Sequence, residues 1–404
     1  MNSQERIPFW LTALCVVVGV PVTLAVGVWE YVSATATPIH PNQANVRVAA
    51  AAPPASRWAG AAAKAERVAR AGVVEQNLPG LSVAVGVGSE VVWAEGFGYS
   101  NLEYAMDVKP TTRFRVGTAS IALTSAGAGL LIEQGHLKLD EKIQTYVPEF
   151  PEKKWPVTLR ALMAHTAGIR NDGGDEGPLF AVRCERPVEA LPHFQDFDLR
   201  FEPETRYRYS SYGWILVSAA VEAAAKEPFV VFMKNQVFGP LGMNDTLVDS
   251  GAEVPENGQA TSYFPRYGAD PKYGPELMRQ IDLSCYSGAS VFVSTPSDLV
   301  RFGMALNGGK LLKAATVETL QADHRVASGR ETGYGLGWDL ETVDFLGGKT
   351  KVVGHDGELL GGTAVSLMTF REAQIVVAVM SNTSYADTAT LAVKIAEAFA
   401  AGDK

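Results

Sequence analysis

Strand-like segments sit at the two ends of this chain, with a long stretch of helices and loops between them. Near the start, LSVAVGVG (81–88) and VVWAEGFGY (91–99) are β-rich runs separated by Ser89 and Glu90, the pattern of an antiparallel pair. Near the end come YGLGWDL (334–340), KVVGHDG (351–357), TAVSLMTF (363–370) and QIVVAVMSN (374–382), then a helical stretch, ADTATLAVKIAEAFAAG (386–402). A half-buried sheet must be completed somewhere, so separated strand sets imply one sheet closed by both termini. The expectation is an α+β sandwich: an antiparallel sheet from N- and C-terminal segments, flanked by helices, with a mostly helical lobe inserted at about 116–286. Arg57–Val74 (RWAGAAAKAERVARAGVV) reads as an Ala-rich helix before the first strand, and Phe114–Glu133 as a glycine turn running into a long apolar helix. Ligand sites in such folds lie in the cleft between lobes.

The first 56 residues read differently. Between Arg6 and Glu30 there is no charge, and residues 7–29 (IPFWLTALCVVVGVPVTLAVGVW) would span about 34 Å as a helix. That exceeds the usual 7–15-residue apolar core of a secretory signal, roughly, and fits a retained signal anchor. Trp10 and Trp29 stand near its ends, where interfacial aromatics belong. Arg6 on one side and Glu30 on the other favour a short cytoplasmic tail (1–6) and an exported body; cleavage after Ala34-Thr35-Ala36 is the alternative. Residues 30–56, rich in Ala, Pro and Thr, read as a flexible tether, leaving 57–404 as the folded body.

Composition excludes several functions. With 35 Lys+Arg against 44 Asp+Glu the net charge is −9, so the chain is a poor binder of nucleic-acid phosphates. The three cysteines make no zinc site, and none of the six histidines lies at metal-ligand spacing from another ligand, so neither a metal nor another cofactor is expected. Cys184 and Cys285 would pair only in an oxidising compartment; the plainer reading is two separate core or loop thiols.

A family resemblance is carried by ordered motifs from about Gly80 to Asn382. They are FRVGTASIALTSAGAGLLIEQGHLKLDEKIQTYVPEFPEK (114–153), LRALMAHTAGI (159–169), YRYSSYGWILVSAAVE (207–222), VFGPLGMNDT (237–246), SGASVFVSTPSDLVRFG (287–303), YGLGW (334–338), GHDGELLGGTA (354–364) and QIVVAVMSNT (374–383). In these the chain resembles the serine β-lactamase, class C and DD-peptidase group. YVPEFPEK (146–153) draws it toward the mitochondrial serine β-lactamase-like branch and its bacterial relatives. The resemblance implies acyl-enzyme chemistry from three elements: a Ser-x-x-Lys pair at a helix start, a Tyr from a second motif, and a strand motif opposite. The strand supplies one backbone N–H of an oxyanion hole.

By this resemblance Tyr209 is the motif tyrosine, with Ser211 where the family has Asn. His355 and Gly357 form the His-x-Gly pair, and Glu358 stands where the oxyanion amide is offered. The first element is broken. Thr118 falls at the serine and Ile121 at the lysine, and no Lys or Arg occurs between Arg115 and Lys138. A neutral hydroxyl attacks poorly without a base, and isoleucine has no lone pair; losing such assistance costs about 10²–10⁴-fold. The added methyl of Thr118 also crowds attack and stiffens χ1.

Each residue has a plainer reading as well. Thr118 would cap the next helix, His355 and Tyr209 would line the cleft, His165 would brace a loop, Asp282 and Asp298 would be capping or loop charges, and Trp338 would be core. The expectation is a membrane-tethered, catalytically impaired homologue. It would bind a peptide, cell-wall fragment or ester-like small molecule, or act as a scaffold or homo-oligomer. The alternative is an active peptidase or esterase using Thr118 with Tyr209 or His355.

Overall fold

In the computed structural model, residues 9–171, 179–251, 258–359 and 362–401 are described. The expected cytoplasmic tail (1–6) lies outside them. In chain order come α1 (Phe9–Thr35), β1 (Val48–Ala50), α2 (Ala59–Glu75), β2 (Gly80–Val87), β3 (Glu90–Asn101), β4 (Met106–Asp107) and β5 (Phe114–Arg115). The middle carries α3 (Ser120–Glu133), α4 (Leu159–Met163), α5 (Ser211–Ala225), α6 (Phe229–Phe232), β6 (Leu247–Val248), β7 (Tyr263–Pro265), β8 (Pro275–Leu277) and β9 (Phe292–Ser294). The chain returns through α7 (Pro296–Asn307), α8 (Ala314–Leu320), β10 (Asp339–Phe345), β11 (Gly348–Leu359), β12 (Thr363–Phe370), β13 (Ile375–Ser381) and α9 (Thr388–Ala400).

The large sheet runs β1-β3-β2-β13-β12-β11-β10, with β4 on β3, and every pairing is antiparallel. Its seam is β13. Val379 faces Val83 of β2 on one side and Ser366 of β12 on the other, so the last strand closes the first hairpin against the C-terminal strands. All seven residues of β13 are buried, which explains an apolar run without alternation. Period-2 geometry still sorts its side chains. Ile375, Val377 and Val379 pack with Ala69, Val73 and Ile395 of α2 and α9, while Val376, Ala378 and Met380 join Val300 and Phe302 of α7 and the helical lobe. The lobe's α3 is buried nearly all round, from Ile121 through Ala128, which accounts for its weak amphipathicity.

Three expectations change. Residues 30–56 are not a loose tether: Val48–Ala50 pairs with Glu95–Phe97 at the sheet edge, and His40 and Val46 are buried. The YGLGWDL stretch is not a strand over its length; Tyr334–Trp338 is a tight connection, and β10 begins at Asp339. Cys184 and Cys285 are not separate thiols but form a disulfide closing a sequence separation of 101 residues. No spacing rule signals such a pair; it follows from the fold, which sets the segment before the Pro187–His193 turn against Ser284–Tyr286.

Helix α1 runs through Thr35 with Pro21 inside it, and Val17–Thr35 is long and apolar enough to cross a membrane, with mean hydropathy 1.5; it is exposed along most of its length, with Val32 buried near its C-terminal end.

Candidate functional site

Gly117–Ala119 forms a single 3₁₀ turn leading directly into α3, and this turn packs under the end of β11. Two glycines permit the approach. Gly117 sits at φ +57°, and a Cβ on Gly357 would collide with the Val116 carbonyl and crowd Ala119 N at 2.9 Å. The approach brings the Thr118 position and the His355–Glu358 strand together, as the resemblance implied. Thr118 is 9% exposed, and its Oγ1 donates to the carbonyl oxygen of Asp356 at 3.4 Å. It caps nothing: α3 starts from Ala119 with no side-chain cap. Ile121 is fully buried one turn later, within the main core.

β11 pairs with β12 through His355↔Leu367, Gly357↔Val365 and Glu358↔Ala364, but its pairing with β10 ends at Gly354↔Asp339. Beyond Gly354 the β10-side edge turns toward the cleft. On that edge Asp356 N donates to Asp339 Oδ2 at 3.1 Å, while Asp356 O accepts from Thr118. Peptide groups two residues apart face the same edge, so the N–H of Glu358 points the same way. The Glu358 carboxylate does not point into the cleft: its Oε1 accepts from Tyr385 N at 3.1 Å, and burial raises its pKa. Asp356 lies on that same rear face beside Ser366, and burial, opposed by the Ser366 bond and reinforced by Asp339, pushes its carboxyl up to about 7.

His355 points forward and is buried. Its Nδ1 lies 2.6 Å from Asp356 O and 3.6 Å from Asp339 Oδ2, so Nδ1 carries the proton. Nε2 therefore accepts from the Tyr334 hydroxyl at 2.8 Å. Tyr334 is fully buried, and burial followed by the Asp339 charge lifts its pKa far above that of free tyrosine, so it stays a donor. The file Asp339···His355···Tyr334 was not legible as such, although Tyr334 opens the YGLGW motif.

His165 packs against this group, with its ring centroid 4.8 Å from that of Tyr334 and 4.2 Å from that of Tyr209, both pairs tilted. Its Nδ1 accepts from Ser210 N at 3.0 Å, fixing the loop that carries Tyr209 into α5. Burial, then the neighbouring His355, holds its pKa well below 6.5, so the ring is neutral. Its φ of +58° is paid for by that bond. Ser210 caps α5 through Gly213 N at 3.2 Å, and Ser211 starts the helix fully buried. Tyr207, half-buried nearby, also has its pKa raised by burial. The floor is thus a set of aromatic and imidazole groups with Thr118 at one end. Asp298 and Asp282 are structural, as expected: Asp298 accepts from Asp245 N and Thr246 and pairs with Arg301, and Asp282 accepts from Ser284 N. Trp338 is core. Among the described residues no cluster of His, Cys, Asp or Glu is arranged to hold a metal ion.

Comparison with known proteins gives a consistent picture. A family model described as Beta-lactamase matches residues 65–400. Penicillin-binding protein 4* of Bacillus subtilis (strain 168) is 26% identical over 285 residues, covering 68% of this chain and 62% of its own length. The mitochondrial serine beta-lactamase-like protein of Homo sapiens is 27% identical over 324 residues, covering 63% and 58%. The chain therefore spans about six-tenths of the length of these curated relatives. Among solved structures, D-amino acid amidase from Ochrobactrum anthropi SV3 complexed with L-phenylalanine amide superposes with a TM-score of 0.69 at 22% identity, covering 85% of this chain and all of the other. The octameric penicillin-binding protein homologue from Pyrococcus abyssi gives 0.68 at 23% identity, covering 82% and 75%. Likeness at these identities establishes the fold.

Proposed function

Because the chain belongs to the beta-lactamase family, we propose that it is a membrane-tethered member whose cleft binds peptide-like or ester-like ligands without efficient acyl transfer. The observation that carries this reading is the pairing at the start of α3: the Thr118 hydroxyl faces a peptide carbonyl, and the residue one turn on is a buried isoleucine. A carbonyl oxygen accepts a hydrogen bond but takes no proton at neutral pH, so nothing on that turn makes an alkoxide. Ligand recognition is better provided for. The β10-side edge at Glu358 offers a backbone donor, and the half-buried Tyr209 ring lies against His165, which packs on Tyr334. The apolar α1 supports the tether, and the Cys184–Cys285 disulfide supports an exported, oxidising location for the body.

A titration tests the binding half. The full chain in detergent should give saturable heat with a cell-wall peptide, and the peptide should be recovered intact. Cleaved peptide would contradict the reading.

One observation favours a second reading. In the buried file Asp339···His355···Tyr334 an imidazole is backed by a carboxylate and bonded to a phenol, an arrangement able to pass a proton toward the cleft. On that reading the chain is a slow hydrolase with Thr118 as nucleophile, and Tyr334→Phe would abolish its turnover.

A further inference from the structure

Helix α1 does not end in a free linker; its C-terminal turn is gripped by the body. Arg266 Nη2 donates to Val32 O at 2.9 Å and to Thr35 Oγ1 at 2.6 Å, and its Nη1 lies 3.5 Å from Thr35 O. A guanidinium on the last carbonyls satisfies acceptors that a helix end leaves open and opposes the negative end of its dipole. Trp29 Nε1 donates to Tyr273 OH at 3.1 Å. Asn77 then ties the exit segment to the same place: its Oδ1 accepts from Ile39 N at 2.8 Å, and its Nδ2 donates to Thr37 O and Lys272 O at 3.3 and 3.4 Å. Arg266, Lys272 and Tyr273 all lie on the turn joining β7 to β8.

Helix geometry fixes the depth of that turn. About twenty residues at 1.5 Å each cross the roughly 30 Å hydrocarbon layer. The uncharged run between Arg6 and Glu30 covers residues 7–29, so a span of that length closes at Trp29. Trp29 therefore stands at the hydrocarbon–headgroup boundary, and whatever its indole N–H bonds must stand there too. The turn has the composition of that layer. Tyr267 and Tyr273 meet edge-on at 5.7 Å, Lys272 lies over the Tyr273 ring at 4.9 Å while pairing with Asp270, and Gly268 and Ala269 form an exposed tip.

We infer that the β7–β8 turn, residues 266–274, is a membrane-contact surface that seats the body directly in the headgroup layer in one fixed orientation. The inference rests on the reading of α1 as a membrane span. Its partner is the phospholipid headgroup layer. Because Tyr263 also lies against Gly362, just past the cleft strand β11, the seat joins the wall of the candidate site to the bilayer.

The full chain is reconstituted into phosphatidylcholine vesicles containing headgroup nitroxide lipid, with Cys15→Ser and a fluorophore on Ala269→Cys. The control carries it on Glu372→Cys. That residue lies in the β12–β13 turn, at the end of β13 away from Thr383, which bridges Tyr263; the seven residues of β13 set the two ends about 20 Å apart. The expected result is flotation with the vesicles, loss of most emission at position 269 and little loss at 372. In the Arg266→Ala background flotation should persist while quenching at 269 falls. Flotation with equal quenching at 269 and 372 overturns the seat and leaves the span intact; failure to float overturns the span itself, and the seat with it.

Discussion

The Tyr334 hydroxyl donates to Nε2 of His355 at 2.8 Å inside a fully buried pocket, so the histidine of the strand motif is already occupied before any ligand arrives. That bond orders the floor of the cleft, while on the other side of the ring His355 Nδ1 and the Thr118 hydroxyl both meet the Asp356 carbonyl oxygen.

Removing the donor tests the structural weight of that bond. Tyr334→Phe leaves Nε2 buried and unsatisfied, which costs about 1–3 kcal/mol. Chemical denaturation of the full chain in detergent should show the midpoint falling accordingly, with no change in slope. An unchanged midpoint would mean that the pair contributes nothing to the fold.

Two buried groups give opposing pH trends. Asp356 has its folded pKa raised to about 7 from an ordinary 3.8, so its contribution to stability is full below the lower value and is lost as pH rises through the upper one. His165 has its folded pKa depressed, so its contribution is present above 6.5 and is lost as pH falls. Asp356→Asn should therefore raise the thermal midpoint at about pH 8 and leave it nearly unchanged at about pH 4, the ordinary carboxyl range. Equal shifts at both would contradict a raised Asp356 pKa, because a pH-independent effect requires the same proton binding in the folded and unfolded states.

The disulfide supplies a third test. Cys184→Ser with Cys285→Ser opens a cross-link across 101 residues and should cost roughly 2–4 kcal/mol by denaturant titration. Reducing agent should produce the same loss in the parent and none in the double variant.

A fourth concerns the buried pair Arg115–Asp249, 2.6 Å apart with both side chains nearly inaccessible. Arg115 lies in β5, directly before the Thr118 turn. Arg115→Ala strands a buried carboxylate and should cost about 3–5 kcal/mol. Replacing both partners with apolar residues should recover most of that loss.

Much of this architecture was readable from residue patterns. The period-2 runs at both termini implied one sheet closed by the last strand, and β13 between β2 and β12 is that closure. Thr118, Gly357 and Glu358 do converge, because glycine at 117 and 357 lets a strand lie on a helical turn. Contacts between distant segments that carry no local signal were not readable. Tyr334 looks like one more aromatic in a strand, and only the glycine-rich connection at Gly333 and Gly337, both at positive φ, swings it toward His355. Residues 36–50 look like linker because Ala, Pro and Thr carry no periodicity, yet an exposed sheet edge recruits Val48–Ala50 by backbone pairing, with Val46 and Val48 packed on the core and Arg47 paired with Asp107.

The most direct test of the impaired cleft is covalent labelling by a fluorophosphonate and a fluorescent penicillin, followed on a gel. The parent chain should remain unlabelled, whereas Thr118→Ser with Ile121→Lys, which restores a hydroxymethyl nucleophile and an amine one turn apart, should acquire label. Labelling of the parent that disappears in Thr118→Ala would contradict the account.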